Sequence, residues 1–231
     1  MLFVGVQGCG KSLAAKFIAK EWQLPLLKLD AGRLYDKYVG ESEKNFRRAT
    51  AVAEAMAPVV LWIDELEKAF GQGGSNEADG GLSQRLFGAL LTWLQEKKEE
   101  VFVVGSANDL SRLPPEFLRK GRFDEIFFVD LPVADERRTI FSIHLKLRKQ
   151  NAAAFDLDRL TAATEGFSGA EIEQAVISAL YRALHAKMPL TTGGILEAIG
   201  STVPLSVTRR EQIEELRATA AGRFTPVRSQ P

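Results

Sequence analysis

A chain of 231 residues, 45% of them hydrophobic and with 30 basic side chains against 30 acidic ones, can bury a sizeable core and carries no net field to gather nucleic acid or a lipid surface. Its single cysteine excludes an internal disulfide and suits a reducing compartment. The apolar run Ala57 to Ile63 stops at Asp64, too short to span a bilayer, and no basic leader precedes an apolar stretch at the start, so the expectation is a soluble intracellular protein.

In chain order, Leu2-Phe3-Val4 reads as a short buried strand, and Leu13, Ala14, Phe17 and Ile18 recur at helical spacing a few residues later. Between them lies GVQGCGKS, Gly5 to Ser12, which has the P-loop spacing in the strand-then-helix setting that makes the pattern specific. Glycines at 5, 8 and 10 permit turns in which successive N–H groups converge on a polyphosphate, and the helix that follows adds its positive end. Lys11 is expected to reach the β- and γ-phosphates, and the Ser12 hydroxyl to ligate Mg²⁺. Cys9 is either an activated thiol or simply a small loop residue, and the second reading is preferred.

Pro25 to Leu29 reads as the next strand, followed by a helix with Phe46, Ala49, Ala53 and Met56 on one face. Val59 to Ile63 is a continuous apolar strand ending in Asp64-Glu65. An acidic pair at the carboxyl end of a buried parallel strand lies where ligands bind, so Asp64 is expected to hold Mg²⁺ and Glu65 to polarise an attacking water. The plainer reading is a pair of acids at a helix start. Leu82, Leu86, Leu90 and Leu94 mark a helix, Val101 to Gly105 a strand, Pro114-Pro115 a short helix, and Ile126 to Val129 the last strand.

From Pro132 the pattern is helical only, with Ile140, Ile143 and Leu147 on one helix and Ile172, Val176, Leu180 and Leu184 on another. The expected fold class is therefore α/β: a doubly wound parallel sheet over 1–131, a helical domain over 132–222 and a loose tail over 223–231. His144 and His185 lack ligand spacing and read as packing residues, as do Trp22, Trp62 and Trp93.

Several segments, in this order, resemble those of the AAA ATPases within the AAA+ superfamily. VVLWIDE is similar to the second acidic nucleotide motif. SAND, Ser106 to Asp109, is similar to the sensor-1 segment, with Asn108 where the family orients its attacking water. LPPEFLRKGRFDEIFFVDLP resembles the second region of homology, with Arg119 and Arg122 matching two arginine fingers, and GFSGAEI resembles the sensor-2 turn of the helical lid. DKYVGESE resembles the first pore loop, which makes Tyr38 and Val39 candidates for gripping a polypeptide.

The resemblance implies ATP and Mg²⁺ as ligands, with Gly5, Gln7, Gly8, Cys9, Gly10, Lys11, Ser12, Leu13, Asp64, Gly169 and Ala170 around the nucleotide. It also implies a ring, a hexamer by family habit, in which the arginines act on the neighbouring copy's γ-phosphoryl group and a protein client is remodelled or threaded. A subgroup with similar wording occurs on algal plastid genomes and in cyanobacteria, which implies the cytoplasm or plastid stroma.

Two features depart from the family pattern. The segment that encloses adenine in the family is missing before the first strand, so the expectation is either a truncated chain or a wall supplied by another chain, and Asp109 stands where many relatives carry arginine. Gly71 to Gly81 reads equally as a second pore loop or an insertion. The alternative function is a nucleotide-dependent regulatory module with slow hydrolysis as a timer; a DNA-remodelling role is disfavoured by the zero net charge.

Overall fold

The structure is a computed structural model that describes residues 1–30, 41–70, 82–118 and 122–228, without the side chains of 69–70 and 82–84. The expectations for Tyr38, Val39, Arg119 and the Gly71 to Gly81 loop lie outside the described residues. Contacts divide the chain into two compact units. One comprises Met1–Gly5, Lys11–Val129 and Ala220–Pro231; the other comprises Val6–Gly10 and Asp130–Thr219.

The first unit holds a six-stranded, all-parallel sheet in the order β2-β3-β4-β1-β5-β6. Its strands are β1 (Leu2–Gly5), β2 (Leu26–Asp30), β3 (Val59–Asp64), β4 (Val101–Ala107), β5 (Ile126–Val129) and β6 (Thr225–Pro226). Every residue from Val59 to Ile63 is buried, because a central parallel strand is covered on both faces and so reads as one apolar run. The register sets Ile63 beside both Leu29 and Gly105, and Leu2 beside both Gly105 and Ile126.

Helix α1 (Lys11–Glu21) forms where its periodicity predicts, but its buried line is Lys11, Ala15 and Ala19, while Leu13 and Phe17 are 64% and 63% exposed. The short alanines let the helix approach Phe3, Val60, Trp62 and Val104 on the sheet, which turns the larger side chains outward. A similar shift occurs in α2 (Glu41–Ala55), where Phe46, Thr50 and Ala53 are buried and Met56, just past its end, is exposed. Short α3 (Leu66–Phe70) leads to α4 (Leu82–Glu96), in which Leu86 and Leu90 are fully buried. The turn after Pro114 is a 3₁₀ helix, Pro115–Leu118, whose Phe117 packs on Phe87 and Phe123. The tail expected to be loose supplies β6, paired with Phe127 and Phe128 through Thr225 and Pro226, and the Thr225 hydroxyl donates to Glu125 at 3.0 Å.

The second unit contains α5 (Ala134–Leu147), α6 (Leu157–Ala163), α7 (Gly169–His185), α8 (Thr192–Gly200), α9 (Leu205–Thr208) and most of α10 (Arg210–Ala220). Phe141, Leu145, Leu160, Phe167, Ile172, Val176 and Ile195 form its core. The buried line of α5 runs through Arg137, Phe141 and Leu145, not Ile143 and Leu147, and α7 buries Ala175 and Ala179 while Leu184 is exposed. In α7 the cause is again alanine, which lets neighbouring helices approach without appearing as a large apolar stripe. Helix α7 begins with a capping box: the Ser168 hydroxyl accepts from Glu171 N–H while the Glu171 carboxylate accepts from Ser168 N–H at 2.7 Å. The other Glu171 oxygen accepts from Leu205 N–H, also at 2.7 Å.

Candidate functional site

The loop after β1 is constrained from both sides. Gly5 has φ 144°, and a β-carbon there would stand 2.0 Å from the Val129 carbonyl oxygen, so no side chain fits beside β5. The Gly5 carbonyl accepts a 2.9 Å hydrogen bond from Lys11 Nζ, whose side chain is buried at the start of α1. Within the second unit, Gly8 abuts the start of α7: its carbonyl accepts from Ala170 N–H at 3.0 Å, and a β-carbon would meet Ala170 at 2.9 Å and Ser168 Oγ at 3.0 Å. A β-carbon on Gly169 would lie 3.3 Å from the Gly8 oxygen. Gly8, Gly169 and Ala170, singled out separately in the sequence, are thus neighbours. Cys9 Sγ donates to the Gln7 carbonyl at 3.8 Å, while Gln7 and Gly10 are exposed.

At the carboxyl ends of β3 and β4 a polar cluster replaces the apolar sheet. Asp64 Oδ1 accepts from Ser106 Oγ at 2.5 Å and from Ser12 Oγ at 3.3 Å. Its second oxygen lies 3.4 Å from the Lys28 ammonium, which also stands 4.3 Å over the Trp62 ring. Ser106 Oγ in turn accepts from Glu65 N–H at 3.3 Å, so one hydroxyl ties both members of the acidic pair. A serine hydroxyl and a single carboxylate form the hard-oxygen donor set that Mg²⁺ takes from proteins, the remaining positions being water and phosphate oxygens. The residues present therefore fit that ion.

Glu65 has φ 53°, in the left-handed region where a residue with a β-carbon is strained. Among the described residues three other non-glycine residues share this sign, Gln23, Lys149 and Lys187. Each follows a helix whose last turn closes with paired bonds, such as Leu24 N–H to Ala19 O and Gln23 N–H to Lys20 O, and left-handed geometry is ordinary there. Glu65 follows a strand, so its strain has another origin. Its carboxylate forms a 2.7 Å ion pair with Lys68 and raises that ammonium's pKa.

Glu67, buried on α3, uses one oxygen twice: Oε1 accepts from the backbone N–H of Asn108 at 3.0 Å and from its Nδ2 at 3.1 Å. Its Oε2 is buried with no hydrogen-bond partner among the described residues. Burial pushes the carboxyl above the ordinary carboxylate range, opposed by those hydrogen bonds. Asp109, just beyond, accepts from Ser111 N–H and Oγ at 3.0 and 2.6 Å and turns the chain away from β4.

The structure thus gathers Ser12, Asp64 and the Glu65 backbone about Ser106, and Lys11 with Gly5. Asn108 is held by Glu67. Arg122 is half-buried, and its Nη1 is buried without a hydrogen-bond partner among the described residues. Sequence reading missed Ser106, Glu67, Lys28 and Lys68. A serine two positions before Asn108 and the charged pair two and three after Glu65 were the available signals, and they acquire meaning only when β3, β4 and α3 are placed together.

A P-loop after the first strand of a parallel sheet in this order, an acidic pair ending the third, a polar segment ending the fourth and a separate helical unit define a P-loop nucleotide-binding protein of the AAA+ type. The family comparison agrees: residues 1–131 match the ATPase family associated with various cellular activities (AAA), and residues 154–197 match the AAA+ lid domain. The chain belongs to the AAA family. It is 49% identical over 222 residues to the uncharacterized AAA domain-containing protein ycf46 of Guillardia theta, covering 96% of this chain and 44% of that protein. The protein of the same name from Pyropia yezoensis is 50% identical over 221 residues, covering 95% and 45%. The chain therefore spans less than half the length of these relatives.

Proposed function

We propose that this chain hydrolyses ATP with Mg²⁺, and does so in a homo-oligomeric AAA ring, a hexamer, that remodels or threads a protein client. The observation that carries the reading is the cluster at the ends of β1, β3 and β4, where Lys11 and Ser12 at the start of α1 meet Gly5 of β1, Asp64 of β3 with Glu65 just after it, and Ser106 of β4. Lys11 exchanges the Gly5 carbonyl for phosphate oxygens, and the N–H groups of the loop, Gln7, Gly8, Cys9 and Gly10 with Lys11, Ser12 and Leu13, bind the remaining oxygens. The family resemblance assigns the backbone of Gly169 and Ala170 to the same ligand.

Mg²⁺ bound by Ser12 and Asp64 would neutralise charge on the β- and γ-phosphates. Glu65 takes a proton from the attacking water, which requires its carboxylate to leave Lys68, and Asn108 orients that water. Arg119 and Arg122 act on the adjoining copy's phosphoryl group. For Arg122 this means bringing Nη1 out of its buried, unpaired position. Tyr38 and Val39 grip the client, and on the family resemblance the protein works in the cytoplasm or plastid stroma.

The test is Glu65→Gln. The variant is expected to bind ATP as tightly as the parent while turnover falls about 10²–10⁴-fold, the usual worth of a positioned general base. Calorimetry and steady-state phosphate release measure the two. Undiminished turnover would remove Glu65 from its role.

A further inference from the structure

Resting on the reading of Asn108 as the group that orients the attacking water, we propose that Glu67 is a positioning residue for hydrolysis, fixing which end of the Asn108 carboxamide is offered to that water. A carboxylate is an acceptor only, so the amide end nearest it has to be the NH₂ group. The backbone N–H and Nδ2 of Asn108 both donate to Glu67 Oε1, at 3.0 and 3.1 Å. Nδ2 is thereby committed to the protein, and Oδ1 is left as the end that accepts a hydrogen bond from water. Without this partner the carboxamide turns over freely, and a donor end opposes a water whose own proton has to leave toward Glu65.

The fold builds this contact deliberately. Glu67 is only 7% exposed, and a buried carboxyl oxygen with no partner among the described residues is expensive to retain for packing alone. Leu66, fully buried, seats α3 against β4 at Gly105, where a β-carbon would stand 2.7 Å from Leu66 Cδ1 and 3.0 Å from Leu2 Cδ1. The bare backbone at Gly105 lets α3 come close enough for Glu67 to reach Asn108, three residues on and just past the end of β4. Glu65 faces Lys68 across the same short helix, so the sequence ELEK carries the proposed base, its ion-pair partner and the clamp on its helper.

The experiment is a double-mutant cycle in the assembled full-length protein, read as kcat and KM for ATP. Glu67→Leu is expected to lower kcat about 10²-fold, the scale of a misplaced catalytic group, with KM unchanged. Glu67→Gln restores kcat, because its amide oxygen still accepts both Asn108 donors. Glu67→Asp, one methylene too short to reach, shows the same loss as Glu67→Leu and serves if that variant does not fold. In an Asn108→Ala background Glu67→Leu lowers kcat no further. A full additional loss in that background would overturn the inference, as would wild-type kcat in both Glu67→Leu and Glu67→Asp. Undiminished kcat in Asn108→Ala alone is a different result: it overturns the reading of Asn108 itself.

Discussion

The two units of this chain use carboxylates in opposite ways. In the helical unit Glu171 spends both oxygens on backbone ends, those of Ser168 and Leu205, Asp130 receives Arg217 through a bidentate contact at 2.9 to 3.1 Å, and Glu173 pairs with Arg148 at 2.9 Å. These acids hold helices together. In the sheet unit Asp64, Glu65 and Glu67 sit at the end of one strand with strained backbone, an oxygen unpaired among the described residues and an exposed cation partner. The difference teaches where chemistry resides: groups fully satisfied by their own chain have nothing left to offer a ligand, while partly satisfied ones are poised to change partners.

The contrast makes ranked predictions. Arg122, whose buried Nη1 has no partner among the described residues, is expected to show the largest effect: Arg122→Ala lowers kcat about 10³–10⁵-fold if it completes the adjoining copy's site. Mixing Arg122→Ala with Glu65→Gln protomers then recovers part of the ATPase activity, because some interfaces pair an intact glutamate with an intact arginine. Failure to recover on mixing would show that the arginine acts within its own chain. In the helical unit the expected deficit is one of stability. Leu160→Ala, at a fully buried core position, should cost about 2–5 kcal/mol, seen as a lowered transition in scanning calorimetry.

The smallest effect concerns Glu67. Its folded pKa lies above the ordinary value, so the native state retains the proton to higher pH than the unfolded chain does. The ionised carboxylate's destabilisation is therefore absent below the ordinary carboxylate range and grows as pH rises through the folded pKa. Glu67→Gln should accordingly raise Tm slightly at pH 7, with the gain vanishing in acid; melts at a series of pH values check it. A gain that persists in acid would assign it to packing.

Much of this was legible in the residues. The buried strand Val59 to Ile63 announces itself because a doubly covered parallel strand is apolar at every position, and the loop through Ser12 because phosphate binding needs glycine at defined places. Helix faces were less legible. Ala15, Ala19, Ala175 and Ala179 are the contact residues, and alanine leaves little mark in a periodicity built on large side chains. Residues such as Ser106, Lys28 and Glu67 were hidden for a different reason: each matters through a neighbour on another strand or helix, and the register that brings Lys28 beside Trp62, or α3 onto Gly105, is a property of the assembled sheet. The short strand Thr225–Pro226 escaped notice because two exposed residues carry no alternation to read.

The left-handed backbone at Glu65 has a practical corollary for anyone improving this protein. A screen that rewards heat resistance alone will favour glycine or asparagine at that position, since either relaxes the turn, and glycine by about 1–2 kcal/mol. Each such winner would be a sturdier molecule with its proposed proton acceptor deleted. Thermal selection on this scaffold should therefore be run with a turnover assay beside it, or position 65 locked from the outset.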